Sequence, residues 1–154
     1  MIIIKNLLTE EQRKNLIKKS QPILVSSPKY PSRQTHPEMH LFPGFVPISN
    51  IFLKAIEKEV GRELRITKCW ITYVTGKKEE SKWHTHLNCD LTAVYYIKTL
   101  RFLNSGTEFE KKGLVRVSQN DMLIFDPQLV HRPPRYPFQF KRYTLTLELS
   151  HKYP

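Results

Sequence analysis

From Leu64 onward the apolar pattern of this chain shifts toward a period of two, and this change of period limits the fold more than any other feature. Alternate residues of an extended chain point to opposite faces, so a period of two marks strands buried on one side. Residues 142–149 give the clearest case: Tyr143, Leu145, Leu147 and Leu149 alternate with Arg142, Thr144, Thr146 and Glu148. Residues 66–75, 91–100, 114–117 and 122–125 also read as strands. Many short strands in succession bury their apolar faces by folding into a sandwich or jelly roll.

Ahead of residue 64 the signals are different. Residues 2–5 read as a short strand. Thr9-Glu10-Glu11-Gln12 has the form of a capping box, in which Thr9 caps the amide of Gln12 and Gln12 reaches back. The helix it opens runs to about residue 19, with Leu16 and Ile17 on its buried stripe. Segment 20–48 holds Pro22, Pro28, Pro31, Pro37, Pro43 and Pro47 and reads as irregular, a length of loop that is usually functional or mobile. A second helix begins near Ser49, with Ile51, Ala55, Ile56 and Val60 at helical spacing and Gly61 near its end. The expected fold is mainly β, a sandwich or jelly roll with two N-terminal helices packed on it. The 154 residues suit one domain spanning 1–154 with a single core. No internal repeat or low-complexity stretch interrupts it.

Composition removes several function classes. Cys69 and Cys89 both lie in apolar, strand-like runs, and no CxxC pair exists, which argues against a cysteine zinc site and a disulfide scaffold and for a reducing compartment. Residues 1–5 are too short a run for a secretory signal, and no run approaches the roughly 18 apolar residues of a membrane span. A cytoplasmic protein with no membrane partner is expected. The formal net charge of +11 attracts anions, nucleic acid or acidic metabolites, and serves solubility equally well.

The chemistry concentrates in the histidines. In Trp83-His84-Thr85-His86 the two imidazoles lie at i and i+2, so an extended chain presents both to one point. Neutral imidazole suits iron, zinc, copper or nickel. Asn88 and Asp90 share that parity if the strand stays straight. His131 follows a turn, a buried strand and a second turn, from Asn120 to Pro127, and a barrel returns that position to the first pair. A lone HxH pair is common without a metal, and it is the ordered combination with His131 that points to a site. His36, His40 and His151 have no such context and read as surface or loop residues. Arg142 shares a strand face with Thr144. An arginine inside a barrel is costly unless paired, and a dicarboxylate ligand pairs it through two parallel hydrogen bonds. A solvated arginine on an exposed strand, beside Lys141, is the other reading.

Taken in order, these pieces resemble the iron(II)/2-oxoglutarate-dependent oxygenase superfamily, in particular its small prolyl-4-hydroxylase-like members. Ile4-Lys5-Asn6-Leu7-Leu8-Thr9-Glu10-Glu11-Gln12 resembles the strand-to-helix passage found there. Tyr73-Val74-Thr75-Gly76 before His84 is similar to the tyrosine-glycine approach to the first metal histidine. His84-Thr85-His86 with Ala93-Val94-Tyr95-Tyr96-Ile97 resembles the metal strand and its successor, and Ser105-Gly106-Thr107-Glu108-Phe109 the Gly-rich turn after it. Asp121-Met122-Leu123-Ile124-Phe125 to His131, then Arg142-Tyr143-Thr144, resembles the closing half of the site.

The resemblance implies a double-stranded β-helix (jelly roll) with the two N-terminal helices packed on it, and Fe(II) on His84, His86 and His131, with 2-oxoglutarate as co-substrate. Its distal carboxylate would meet Arg142, helped by Thr144 or Tyr73, and Tyr96 would line the same pocket. It implies hydroxylation of a small-molecule or peptidyl substrate. Trp83, Tyr95 and Tyr96 are candidate pocket walls, with core packing as the alternative for each. The sequence departs from the family at one position: most members have a carboxylate two residues after the first histidine, where this chain has His86. Asp90 is the nearest acid that compensates, and His84-x-His86-x3-Asp90 also approximates the first motif of a cupin. A cupin-type metalloprotein (isomerase or thiol dioxygenase) and a non-catalytic jelly-roll binding module are therefore the competing readings. Lys77, Lys78, Lys82, Arg132 and Arg135 flank the metal residues and attract an anionic substrate or a nucleic acid strand if they line the barrel mouth. A solvated loop face accounts for them better, so nucleic acid is not the favoured partner.

Overall fold

Residues 142–149 form the spine of the molecule. The computed structural model describes residues 1–27, 30–75, 82–100, 105–135 and 140–153. In chain order these form β1 (Ile2–Ile4), α1 (Glu10–Ser20), β2 (Val25–Ser27), β3 (Tyr30–Gln34), α2 (Val46–Val60), β4 (Leu64–Val74) and β5 (Leu91–Lys98). Then follow β6 (Gly106–Phe109), β7 (Gly113–Arg116), β8 (Met122–Phe125), β9 (His131–Arg132) and β10 (Arg142–His151). The large sheet has the order β1-β8-β5-β10-β4-β3-β2, so β10 pairs on one side with β5 and on the other with β4. The small sheet has the order β7-β6-β9. All these pairings are antiparallel.

The alternation of β10 sorts two apolar clusters. Tyr143, Leu145, Leu147 and Leu149 join Tyr95 and Ile97 of β5, Leu16 of α1, and Phe52 and Ile56 of α2 on the helix side of the large sheet. Each such buried leucine contributes about 1.5–3 kcal/mol relative to exposure. The other face of the sheet points into the roll. There Val94, Tyr96, Leu123 and Phe125 meet Phe109, Val115 and Val117 of the small-sheet side. Arg142, Thr144, Thr146 and Glu148 therefore form a polar, buried stripe along the inner face of β10.

The capping box forms as the sequence indicates. Thr9 Oγ1 accepts from Gln12 N at 3.1 Å, and Gln12 Oε1 accepts from Thr9 N at 2.9 Å. Arg13 fixes α1 to the sheet by donating to the Ile97 carbonyl at 2.9 Å while pairing with Glu10. Helix α2 starts at Val46 rather than near Ser49, because Pro47 falls in its first turn, where a missing N–H loses no helical bond. It ends at Gly61, whose φ of 67° makes the left-handed cap.

Segment 20–48 is not irregular throughout. Short 3-10 turns at Gln21–Ile23 and Met39–Leu41 bracket the β2–β3 hairpin, which extends the edge of the large sheet. Among the described residues, Arg33 and Gln34 are the ones of β3 that pair with β4. Residues 106–109 form a strand rather than a turn. Cys69 is buried, with its thiol pushed up to about 12 by burial; Cys89 is half-buried in a loop, and both are free. Gly76, Lys77 and Lys78 lie outside the described residues. Among the described residues no helix is long and apolar enough to cross a membrane.

Candidate metal centre

His84 and His131 are brought together by the backbone. They form an isolated antiparallel bridge in which each amide donates to the other's carbonyl at 3.0 Å. Directly opposed residues of such a pair project to the same side. His86 N donates to the Pro127 carbonyl at 2.9 Å, so the 84–86 stretch is tied twice to the segment that carries His131. The ring centroids lie 4.3 Å apart for His84 and His131, 5.1 Å for His86 and His131, and 5.4 Å for His84 and His86. One nitrogen from each ring lies within 4.8 Å of the others.

The remaining nitrogens settle the tautomers. His84 Nδ1 lies 3.0 Å from the Lys82 carbonyl and His131 Nδ1 lies 2.8 Å from the Leu129 carbonyl. A carbonyl only accepts, so each Nδ1 carries the proton. His86 Nδ1 lies 2.9 Å from Glu148 Oε1 and donates to that carboxylate in the same sense. In the neutral form of each ring this leaves the Nε2 lone pair free, the form that ligates metal. Burial pushes the His131 imidazole down to about 3, against its bond to Leu129, and the neighbouring His84 and His86 lower it further. Burial also lowers His84. His86 and His131 are buried while His84 is exposed, so the cluster opens to solvent on the His84 side. Phe125 and Phe109, with ring centroids 4.8 and 5.9 Å from His131, form an apolar wall behind it.

Arg142 and Thr144 lie on the inner face of β10. Arg142 is 3% exposed and donates from Nη2 to the Gly106 carbonyl at 2.9 Å. Its guanidinium carbon lies 5.7 Å from the centre of the Tyr96 ring, and Tyr96 is opposite Thr144 in the ladder. The Tyr96 hydroxyl contacts Thr107 Oγ1 at 2.5 Å. Tyr73 is not part of this group. It is opposite Tyr143, with the two ring centroids 4.6 Å apart and the rings tilted, and so belongs to the helix side of the sheet. Asp90 is not with the histidines either. It is exposed and accepts from His151 N at 2.9 Å, because the chain turns at residues 87–88 instead of running straight.

Of the three aromatic candidates, only Tyr96 lies on the inner face of the roll with Arg142. Tyr95 packs on Phe52 at 4.7 Å and donates to Asn120 Oδ1. Trp83 is 38% exposed beneath Arg132, whose guanidinium carbon lies 4.1 Å from its ring centre. Arg132 in turn donates to Glu108 at 2.7 Å, which occupies it away from the histidines. Lys82 and Arg135 are exposed.

Glu148 was not anticipated as part of the site. Its side chain is 7% exposed, with Oε1 on His86 and Oε2 3.2 Å from Lys68 Nζ. Burial raises this carboxyl, but the bonds from His86 and Lys68 outweigh it and hold the group below the ordinary glutamate value. Its signal in the sequence was an acid at an inward position of the last strand.

No protein-family model matches the sequence, and no curated protein matches it significantly. Solved structures do match. HygX from Streptomyces hygroscopicus, solved with nickel, 2-oxoglutarate and hygromycin B, superposes with a TM-score of 0.77 at 13% identity over 99% of this chain and 83% of its own. The viral collagen prolyl hydroxylase from Paramecium bursaria Chlorella virus-1, in its 2-oxoglutarate complex, gives 0.67 at 14% identity over 96% and 94%. SnoN, a non-heme α-ketoglutarate-dependent epimerase of nogalamycin biosynthesis, gives 0.71 at 11% identity over 97% and 78%. The chain thus has the jelly-roll fold on which these enzymes are built, as the resemblance in the sequence implied.

Proposed function

We propose that the chain is an iron(II)- and 2-oxoglutarate-dependent oxygenase whose metal is held by His84, His86 and His131. The observation that carries this reading is the convergence of three imidazoles whose Nδ1 atoms are all engaged by oxygen acceptors, leaving three Nε2 lone pairs for one cation. The donor set fits such an ion: three neutral imidazoles, no thiolate, and an exposed side at His84 where further ligands can enter. One apolar cluster links Leu8 to Leu149, which supports the chain acting as one domain.

When bound, ferrous iron with 2-oxoglutarate and dioxygen supplies an oxidant able to take hydrogen from an unactivated carbon. The chain does the rest. His84, His86 and His131 bind, and their partners Lys82, Glu148 and Leu129 orient them. Arg142 would hold the distal carboxylate of 2-oxoglutarate, with the Thr144 hydroxyl on the same face adding a hydrogen bond. Phe109 and Phe125 keep water from the buried side. A cupin-type reaction would use the same histidines but has no role for Arg142 and Thr144, which favours the 2-oxoglutarate reading. Hydroxylation of a small-molecule or peptidyl substrate is the reaction proposed.

The test is succinate formation from 2-oxoglutarate with added Fe(II), first without and then with pooled candidate substrates. Turnover in the wild-type chain that is lost in His131→Ala supports the proposal. Absence of succinate under every condition, with iron bound, overturns it.

A further inference from the structure

We infer that Glu148 supplies through His86 the negative charge that a two-histidine-one-carboxylate centre receives from a direct ligand, and thereby positions His86 and strengthens its donation to the metal. This rests on the metal centre proposed above. Three neutral imidazoles contribute no charge, so a divalent ion on them alone would keep its full charge beside the buried rings of His86 and His131. The only carboxylate in direct contact with a ligand ring among the described residues is Glu148, at 2.9 Å from His86 Nδ1. A carboxylate accepting from the far nitrogen of a ligating histidine fixes the ring and raises its basicity.

The placement of Glu148 is built in. It sits on the inner stripe of β10, in the longest ladder of the fold. A bulge in β4 lies beside it, where the register shifts between Glu148 and Leu149, and the Thr67 hydroxyl at that point donates to the Glu148 carbonyl at 3.0 Å. Bulges re-aim side chains next to sites. The Trp70 ring covers His86 from the same strand, at 5.8 Å. Pairing with Lys68 does not explain the arrangement: the Lys68 side chain is 47% exposed and its ammonium is solvated without help, whereas a carboxylate 7% exposed requires donors.

The experiment titrates the metal-free full chain with Co(II) alone, following its visible absorption, and records thermal midpoints of the metal-free variants in parallel. Glu148→Gln keeps an acceptor for His86 but removes the charge. It is expected to weaken Co(II) by about 10- to 100-fold and to shift the visible bands, with a midpoint close to wild type. Glu148→Asp restores part of the affinity. Lys68→Met binds Co(II) as tightly as wild type or tighter. Wild-type affinity and unchanged bands in Glu148→Gln overturn the inference, as does a loss in Lys68→Met equal to that in Glu148→Gln. If Glu148→Gln does not fold, Glu148→Asp and Lys68→Met decide by the same criteria. A wild-type chain that takes up no Co(II), or whose uptake survives His131→Ala, overturns the metal centre and the role of Glu148 together. That result is distinct from a binding wild type with an unaffected Glu148→Gln.

Discussion

His84 and His131 face each other across an antiparallel bridge, exchanging two backbone hydrogen bonds of 3.0 Å while their rings lie 4.3 Å apart. The main chain alone makes this meeting, so removing a ring leaves the bridge in place. His131→Ala is therefore expected to stay folded and to lose metal affinity by more than the roughly 100-fold that outer-shell changes cost. Metal analysis together with circular dichroism checks both halves of the statement.

Arg142→Ala separates the co-substrate from the metal. Loss of a charge-assisted contact costs about 2 kcal/mol, roughly thirtyfold in the Kd for 2-oxoglutarate, while Co(II) affinity stays at the wild-type level. Arg142→Lys keeps the charge but not the planar fork, and it recovers only part of the loss. Calorimetric titration of the metal-loaded chain measures each value.

Gly106→Ala is expected to be among the most damaging single-methyl changes in the chain. A Cβ there would lie 1.9 Å from the Val115 carbonyl oxygen, at a backbone φ of 124° that side chains rarely adopt. The combined clash and strain cost about 3 kcal/mol or more. The same residue accepts from Arg142, so 2-oxoglutarate binding falls with stability. Urea unfolding of the variant reads the first effect and the Kd the second.

Metal-free protein loses stability in mild acid through His131. Burial holds this imidazole neutral down to about 3, whereas the unfolded chain protonates it near 6.5. Between those values the unfolded state binds the extra proton, so stability is complete above 6.5 and declines as pH falls through the window. The urea midpoint of His131→Gln is expected to vary less with pH over that range than the wild-type midpoint. Equal slopes would contradict this account.

Much of this was legible in the sequence because it depends on parity. The alternation of residues 142–149 placed Arg142, Thr144 and Glu148 on one face and the leucines on the other, and the i, i+2 spacing put His84 and His86 together. What failed depended on register between segments. Tyr73 shared a pocket with Arg142 in the sequence reading, but Arg142 pairs with Val74, which sends Tyr73 to the opposite face beside Tyr143. A one-residue difference in register reverses every side chain. Asp90 failed because the chain turns after His86. The β2–β3 hairpin was hidden by its prolines. Glu148 could not be singled out, since alternation tells which way a side chain points but not what meets it there.

The two halves of the site rest on unequal supports. Glu148 and Arg142 lie on β10, which runs from Arg142 to His151 between two neighbours, whereas His131 opens a strand of two residues and His84 has only an isolated bridge. Short, weakly laddered segments open at a small fraction of the global unfolding free energy. These segments are therefore expected to open locally before the large sheet does, and a cation bound across them would act as a clasp. Amide exchange at residues 84 and 131 should thus slow sharply on metal loading, while exchange along β10 hardly changes.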